Sequence, residues 1–211
     1  MPILKIIYNK EFDVQRVINT IKKIDWFVEN KYEYKKFTFP KILDVEKLKN
    51  YSDEEIEKAV MAEYDEEVYK KNEIFLINNW EKISEEIKIS FSKSSISAQD
   101  EYIIYFTKYG TGGSYNLPNT VIINLNRCWE VGMLRTIIHE IIHLALEEDI
   151  IKNKIGQAQK ERIVDLFFIK YFPRRVSTQN VYSSMDTEKI DQIFDDNFPD
   201  MKKVIEKAML S

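Results

Sequence analysis

This 211-residue chain contains only two histidines, and both fall in the run His139-Glu140-Ile141-Ile142-His143. On a helix, residues four apart stand on one face, so the two imidazoles can close on one cation about 2 Å from each nitrogen, the distance zinc takes. Glu140 starts on a neighbouring azimuth and reaches the solvent side of such a cation. There it would act as the catalytic base, taking a proton from bound water whose pKa zinc lowers toward about 7. Short motifs recur by chance, but a chain so poor in histidine has little scope for an accidental pair around a glutamate. The flanks agree with a buried active-site helix: Thr136, Ile137, Ile138, Ile141, Ile142, Leu144 and Ala145 carry no charge.

A catalytic zinc site usually has three protein ligands and one open position. Leu144-Ala145-Leu146-Glu147-Glu148-Asp149 follows His143, so the metzincin pattern with its third histidine is absent. An acidic ligand is therefore expected from another element. Glu161 is the best candidate: it lies past a linker holding Gly156 that lets the chain reverse, on a second helix reading Glu161-Arg162-Ile163-Val164-Asp165. Asp165, one turn further on the same face, would accept the outer N–H of His139 and fix its tautomer. Glu147, Glu148 and Asp149 share the helix of His143 and cannot easily bend back to the metal.

With these residues the chain resembles the gluzincins, the thermolysin-like zinc peptidases. Their HExxH helix is followed, after a linker of this order, by a helix bearing a glutamate ligand and an aspartate four residues on. The resemblance covers roughly residues 87–172, and the small size is similar to that of the single-domain minigluzincins. It implies a zinc-dependent peptidase, probed by a peptide or protein substrate, with one Zn2+ per chain. It also implies that the last strand before the metal helix, Thr120-Val121-Ile122-Ile123-Asn124, is an edge strand that binds the peptide antiparallel. The downstream histidine that stabilises the oxyanion in thermolysin has no counterpart; Tyr171, Arg174, Arg175 and Tyr182 are the candidates to replace it. An alternative of another class is a regulatory protein, similar to phage-type antirepressors, whose zincin core cleaves or binds one partner. The acidic N-terminal helices would then form the partner surface.

Composition sets the outer limits. With a formal net charge of -4, nothing electrostatic argues for a nucleic acid or an anionic membrane as partner. The apolar stretch after Met1 is too short for a signal peptide or membrane span, and the single cysteine, Cys128, allows no internal disulfide. A cytoplasmic protein is expected, with Cys128 a packing residue. Oligomeric state has no residue signature.

The elements that must position the site follow from periodicity. A strand is expected over Ile3–Tyr8, a helix from about Asp13 to Val28, a break at Pro40, and acidic amphipathic helices from Asp44 to about Glu86. Period-two runs at Ile87–Phe91, Tyr102–Thr107 and Thr120–Asn124, with Gly110, Gly112 and Gly113 between the last two, read as an antiparallel or mixed sheet. The metal helix is expected from about Val131 to Glu148, the glutamate helix from Gln157 to Phe172 ended by Pro173, and a last helix from about Thr187 to Leu210. The order is α+β and zincin-like. It divides into a helical N-terminal region over 1–80, either separate or part of the same domain, and a catalytic domain over 81–211.

Overall fold

A computed structural model of the chain describes residues 2–29, 36–175 and 187–209. The fold is α+β, with a small mixed sheet among many helices. The strands are β1 (Ile3–Ile7), β2 (Glu101–Thr107), β3 (Gly113–Asn116) and β4 (Thr120–Asn124), in the order β1-β2-β4-β3. β1 and β4 both run parallel to β2, while β3 runs antiparallel to β4 and ends the sheet. Of the two arrangements expected, antiparallel or mixed, the sheet is the mixed one. The glycine-rich segment between β2 and β4 is no simple turn: it carries β3, which folds back on β4 and leaves β4 parallel to β2.

The helices are α1 (Lys10–Lys22), α2 (Ile24–Glu29), α3 (Asp53–Glu63), α4 (Glu66–Lys93), α5 (Val131–Lys152), α6 (Gln157–Tyr171), α7 (Glu188–Asn197) and α8 (Met201–Ala208). The single helix expected over Asp13–Val28 is two, broken at Lys23. The last helix is also two, because Pro199 brings no N–H and interrupts the ladder. Ser52 and Glu55 form a reciprocal capping box that fixes the start of α3, a feature worth about 1 kcal/mol.

The strand expected at Ile87–Phe91 is the last part of α4. Ile87, Ile89 and Phe91 alternate, but only Ile87 and Phe91, four apart, are buried, together with Ile83; Ile89 is exposed. The i, i+4 spacing was present in the same residues, and the helix that began at Glu66 continues through them.

One hydrophobic cluster joins α4, the inner face of the sheet, α5, α6, α7 and α8. α5 is its axis: Met133, Leu134, Ile137, Ile138, Ile141, Ile142, Leu144, Leu146 and Ile150 are all buried. It packs against β3, β4, α4, α6 and α8, which explains apolar residues all round the helix rather than along one stripe. Each such side chain stabilises the fold by about 1.5–3 kcal/mol. A second cluster gathers α1, α3, Phe37, Phe39, Leu43, Leu48 and Tyr109. The N-terminal region is tied to the rest through β1, a strand of the common sheet, and residue 80 lies inside α4. Among the described residues no helix is long and apolar enough to cross a membrane.

Candidate metal centre

α5 and α6 lie side by side and bring three potential ligands together. His139, His143 and Glu161 each offer one ligand atom, all within 4.8 Å of one another. His139 Nε2 and His143 Nε2 are 3.1 Å apart, and Glu161 Oε2 stands 3.3 Å from His143 Nε2 and 3.7 Å from His139 Nε2. A tetrahedral ion with bonds of about 2.0–2.1 Å needs ligand atoms roughly 3.3–3.4 Å apart. The three edges bracket that value, so the donor set fits a cation of zinc's size and ligand preference. The His143 side chain is 3 % exposed, against 18 % for His139 and 22 % for Glu161, so the open side of the cluster is that of His139 and Glu161.

The remaining oxygen of Glu161 is also held: Gln157, one turn earlier on α6, donates its side-chain N–H to Glu161 Oε1 at 2.7 Å. That contact turns Oε2 toward the imidazoles. Burial alone would raise the Glu161 pKa, but hydrogen bonds and charge from His139 and His143 outweigh it and hold the carboxyl well below the usual range. Burial would lower His139; the carboxylates of Glu161, Glu140 and Asp165 overcome it and push the imidazole up. Asp165 Oδ1 sits 3.7 Å from His139 Nδ1, on the side away from the cluster, too long for a hydrogen bond but within reach of a charge interaction. Burial raises the Asp165 carboxyl against the pull of His139.

Glu140 is buried on α5 beneath β3. Burial pushes its pKa up, and the charges of His139 and His143 oppose this. The closeness of β3 is possible because residue 113 is glycine: a Cβ there would lie 2.4 Å from Glu140 Oε1 and 2.5 Å from Thr136 Cγ2. Side chains alternate along the strand, so Tyr115 faces α5 as well, whereas Ser114 points to the opposite face. There Arg16 of α1 donates from Nη2 to Ser114 Oγ at 3.0 Å and to Thr111 Oγ1 at 3.2 Å. Thr111 in turn donates to the Gly113 carbonyl at 2.9 Å. The N-terminal region thus braces the strand that covers Glu140.

Comparison with known proteins identifies no relative: no family model, no curated protein and no solved structure matches the chain. The site stands on its own geometry.

Thr120–Asn124 is not an edge strand. It is β4, hydrogen-bonded on both sides by β2 and β3, so an incoming peptide cannot pair with it; the edge beside α5 is β3. The glycines that mark the approach to β3 read as a turn in the sequence, which concealed the strand. Of the expected oxyanion residues, Tyr171 shares a hydrogen bond with Ser94 and packs on Phe167 and Phe198. Arg175 pairs with Glu86 at 3.1 Å, Arg174 is exposed, and Tyr182 lies outside the described residues. Glu147 is no ligand: it accepts a hydrogen bond from the Tyr115 hydroxyl. Cys128 is partly buried, its sulfur 3.5 Å from the Gly112 carbonyl, with burial raising its thiol pKa. Gly113, Tyr115, Lys160, Gln157 and Arg16 carried no motif, and only Lys160 and Gln157 sat near one.

Proposed function

We propose that this chain is a zinc-dependent metallopeptidase with a zincin-like core of the gluzincin kind. The observation that carries the reading is the His139, His143 and Glu161 triangle, with edges of 3.1–3.7 Å, beside the buried carboxylate of Glu140. A zinc ion held by these three residues would supply Lewis acidity toward a peptide carbonyl and toward water.

The protein's own groups do the rest. Glu140 takes a proton from the attacking water as its oxygen bonds to the carbonyl carbon. It passes that proton to the amine nitrogen as the C–N bond breaks, leaving a carboxylic acid and a free amine. A carboxyl whose pKa is raised by burial is suited to both halves of that transfer. β3 ends the sheet beside α5, and among the described residues no strand pairs with its outer edge, to which an extended peptide would add as a further strand. Gly113 lets that strand lie close over Glu140 without a clash.

The test combines metal content and cleavage. Purified protein should hold about one zinc per chain. Glu140→Gln should keep the metal and lose cleavage of an unstructured peptide library. Protein that takes up no metal after zinc supplementation, or a Glu140→Gln variant that cleaves like the wild type, would sink the proposal.

A further inference from the structure

His143 is the most deeply buried residue of the triangle, yet among the described residues nothing accepts a hydrogen bond from its second nitrogen: Nδ1 is buried without a partner there. A ligating imidazole ordinarily donates that N–H to an acceptor, which sets its tautomer and stops the ring from turning. His139 at least has Asp165 on that side. For His143 the neighbour is an aromatic face. The Tyr115 ring lies parallel to the imidazole, with centroids 5.0 Å apart and planes 10° from each other.

Tyr115 is itself fixed at its far end. Its hydroxyl donates to Glu147 Oε2 at 2.7 Å and accepts from Lys160 Nζ at 2.9 Å. Lys160 and Glu147 also pair directly at 3.5 Å, and their side chains are only 12 % and 14 % exposed, so solvent screens the pair weakly. Tyr115 comes from β3, Glu147 from the helix of both histidines, and Lys160 from the helix of Glu161.

We propose that Tyr115 is the positioning residue of His143, and that with Glu147 and Lys160 it forms a clip holding the edge strand against both ligand-bearing helices. The stack takes over the orienting role that a hydrogen bond to Nδ1 would otherwise have. A flat ring against the imidazole blocks rotation about its outer bond and keeps water from Nδ1. The hydroxyl network in turn prevents Tyr115 from swinging away. Because Glu147 and Lys160 neutralise one another around the hydroxyl, the clip adds no net charge beside the cation.

This inference rests on the cation-site reading, and Co2+ binding separates the two. Metal-free wild type, Tyr115→Leu, Tyr115→Phe and a His139→Ala control would be loaded with Co2+. Affinity would be read by competition with a chelator, and ligand geometry by the visible d–d bands. Tyr115→Leu should weaken Co2+ binding about 10–100-fold, the loss typical of an outer partner, and displace the d–d bands. Tyr115→Phe keeps the ring and should lose less affinity with bands at the wild-type positions. A residue that merely filled space would not move the spectrum of the folded fraction. Tyr115→Leu with wild-type affinity and bands overturns the clip while leaving the cation site intact. If Tyr115→Leu does not fold, Tyr115→Phe decides: a measurable loss of affinity supports the clip, and none overturns it. Wild type that binds Co2+ no better than His139→Ala overturns both.

Discussion

Glu140 and residue 113 share one space: an added Cβ at Gly113 would lie 2.4 Å from Glu140 Oε1, well inside contact distance. The Glu140 carboxylate and the edge strand can both be in place only because this position is glycine. Gly113→Ala should therefore cost about 1–3 kcal/mol of stability through overpacking and reduce turnover by displacing the carboxylate. Metal content should not fall, since the three atoms nearest the added methyl belong to Glu140 and Thr136 and not to His139, His143 or Glu161. Thermal unfolding and bound zinc, measured on the same preparation, check this; lost metal with unchanged turnover would contradict it.

Glu161 closes the cation triangle from α6, while Gln157 turns it toward the imidazoles. Glu161→Ala should reduce metal affinity by more than the roughly 100-fold upper loss seen for outer partners, and Gln157→Ala by about 10-fold or more. Chelator competition monitored by metal analysis distinguishes the two. Equal affinity for Glu161→Ala and wild type would mean that a different group completes the site.

Asp165 stands behind His139 at 3.7 Å. Replacing it with alanine should lower metal affinity about 10–100-fold without removing a ligand. Asp165→Asn should fall between, because the amide keeps a dipole beside Nδ1 but carries no charge. Titration calorimetry with Zn2+ on the metal-free protein provides the values, and an Asp165→Ala variant that binds like the wild type would rule out the orienting role.

Metal loading should depend on pH with a sign set by His139. A cation needs the neutral imidazole, and the carboxylates of Glu161, Glu140 and Asp165 raise this group above its usual pKa of about 6.5. Protons therefore compete with the metal to higher pH than for an ordinary histidine, so affinity rises as pH climbs through and beyond about 6.5. In Glu161→Gln the weaker carboxylate field should move the midpoint down. Zn2+ affinity followed from pH 5 to 8 shows whether the midpoint lies above the ordinary imidazole value, as expected, or below it.

The candidate metal residues were legible because local geometry suffices for them. His139 and His143 are four apart on a helix whose apolar flanks announce its burial, and Glu161 and Asp165 repeat that spacing on the next helix. The α+β class, strands β1, β2 and β4 and the paths of α5 and α6 followed from periodicity for the same reason. Ile87–Phe91 went astray because a five-residue apolar/polar alternation whose first and last members stand four apart satisfies both periods, and only the packing of α4 on α5 decides between them.

What no spacing could determine was sheet order. Whether Thr120–Asn124 is an edge or a middle strand depends on where Gly113–Asn116 lands, a pairing chosen by backbone hydrogen bonds between segments and by the need to cover α5. The same long-range choice puts Tyr115 on His143, Gly113 over Glu140 and Arg16 behind both, joining residues up to 98 positions apart. Helix-face relations are properties of a few consecutive residues and so belong to the sequence; strand neighbours and the contacts they bring are properties of the packed core, which only the tertiary structure decides.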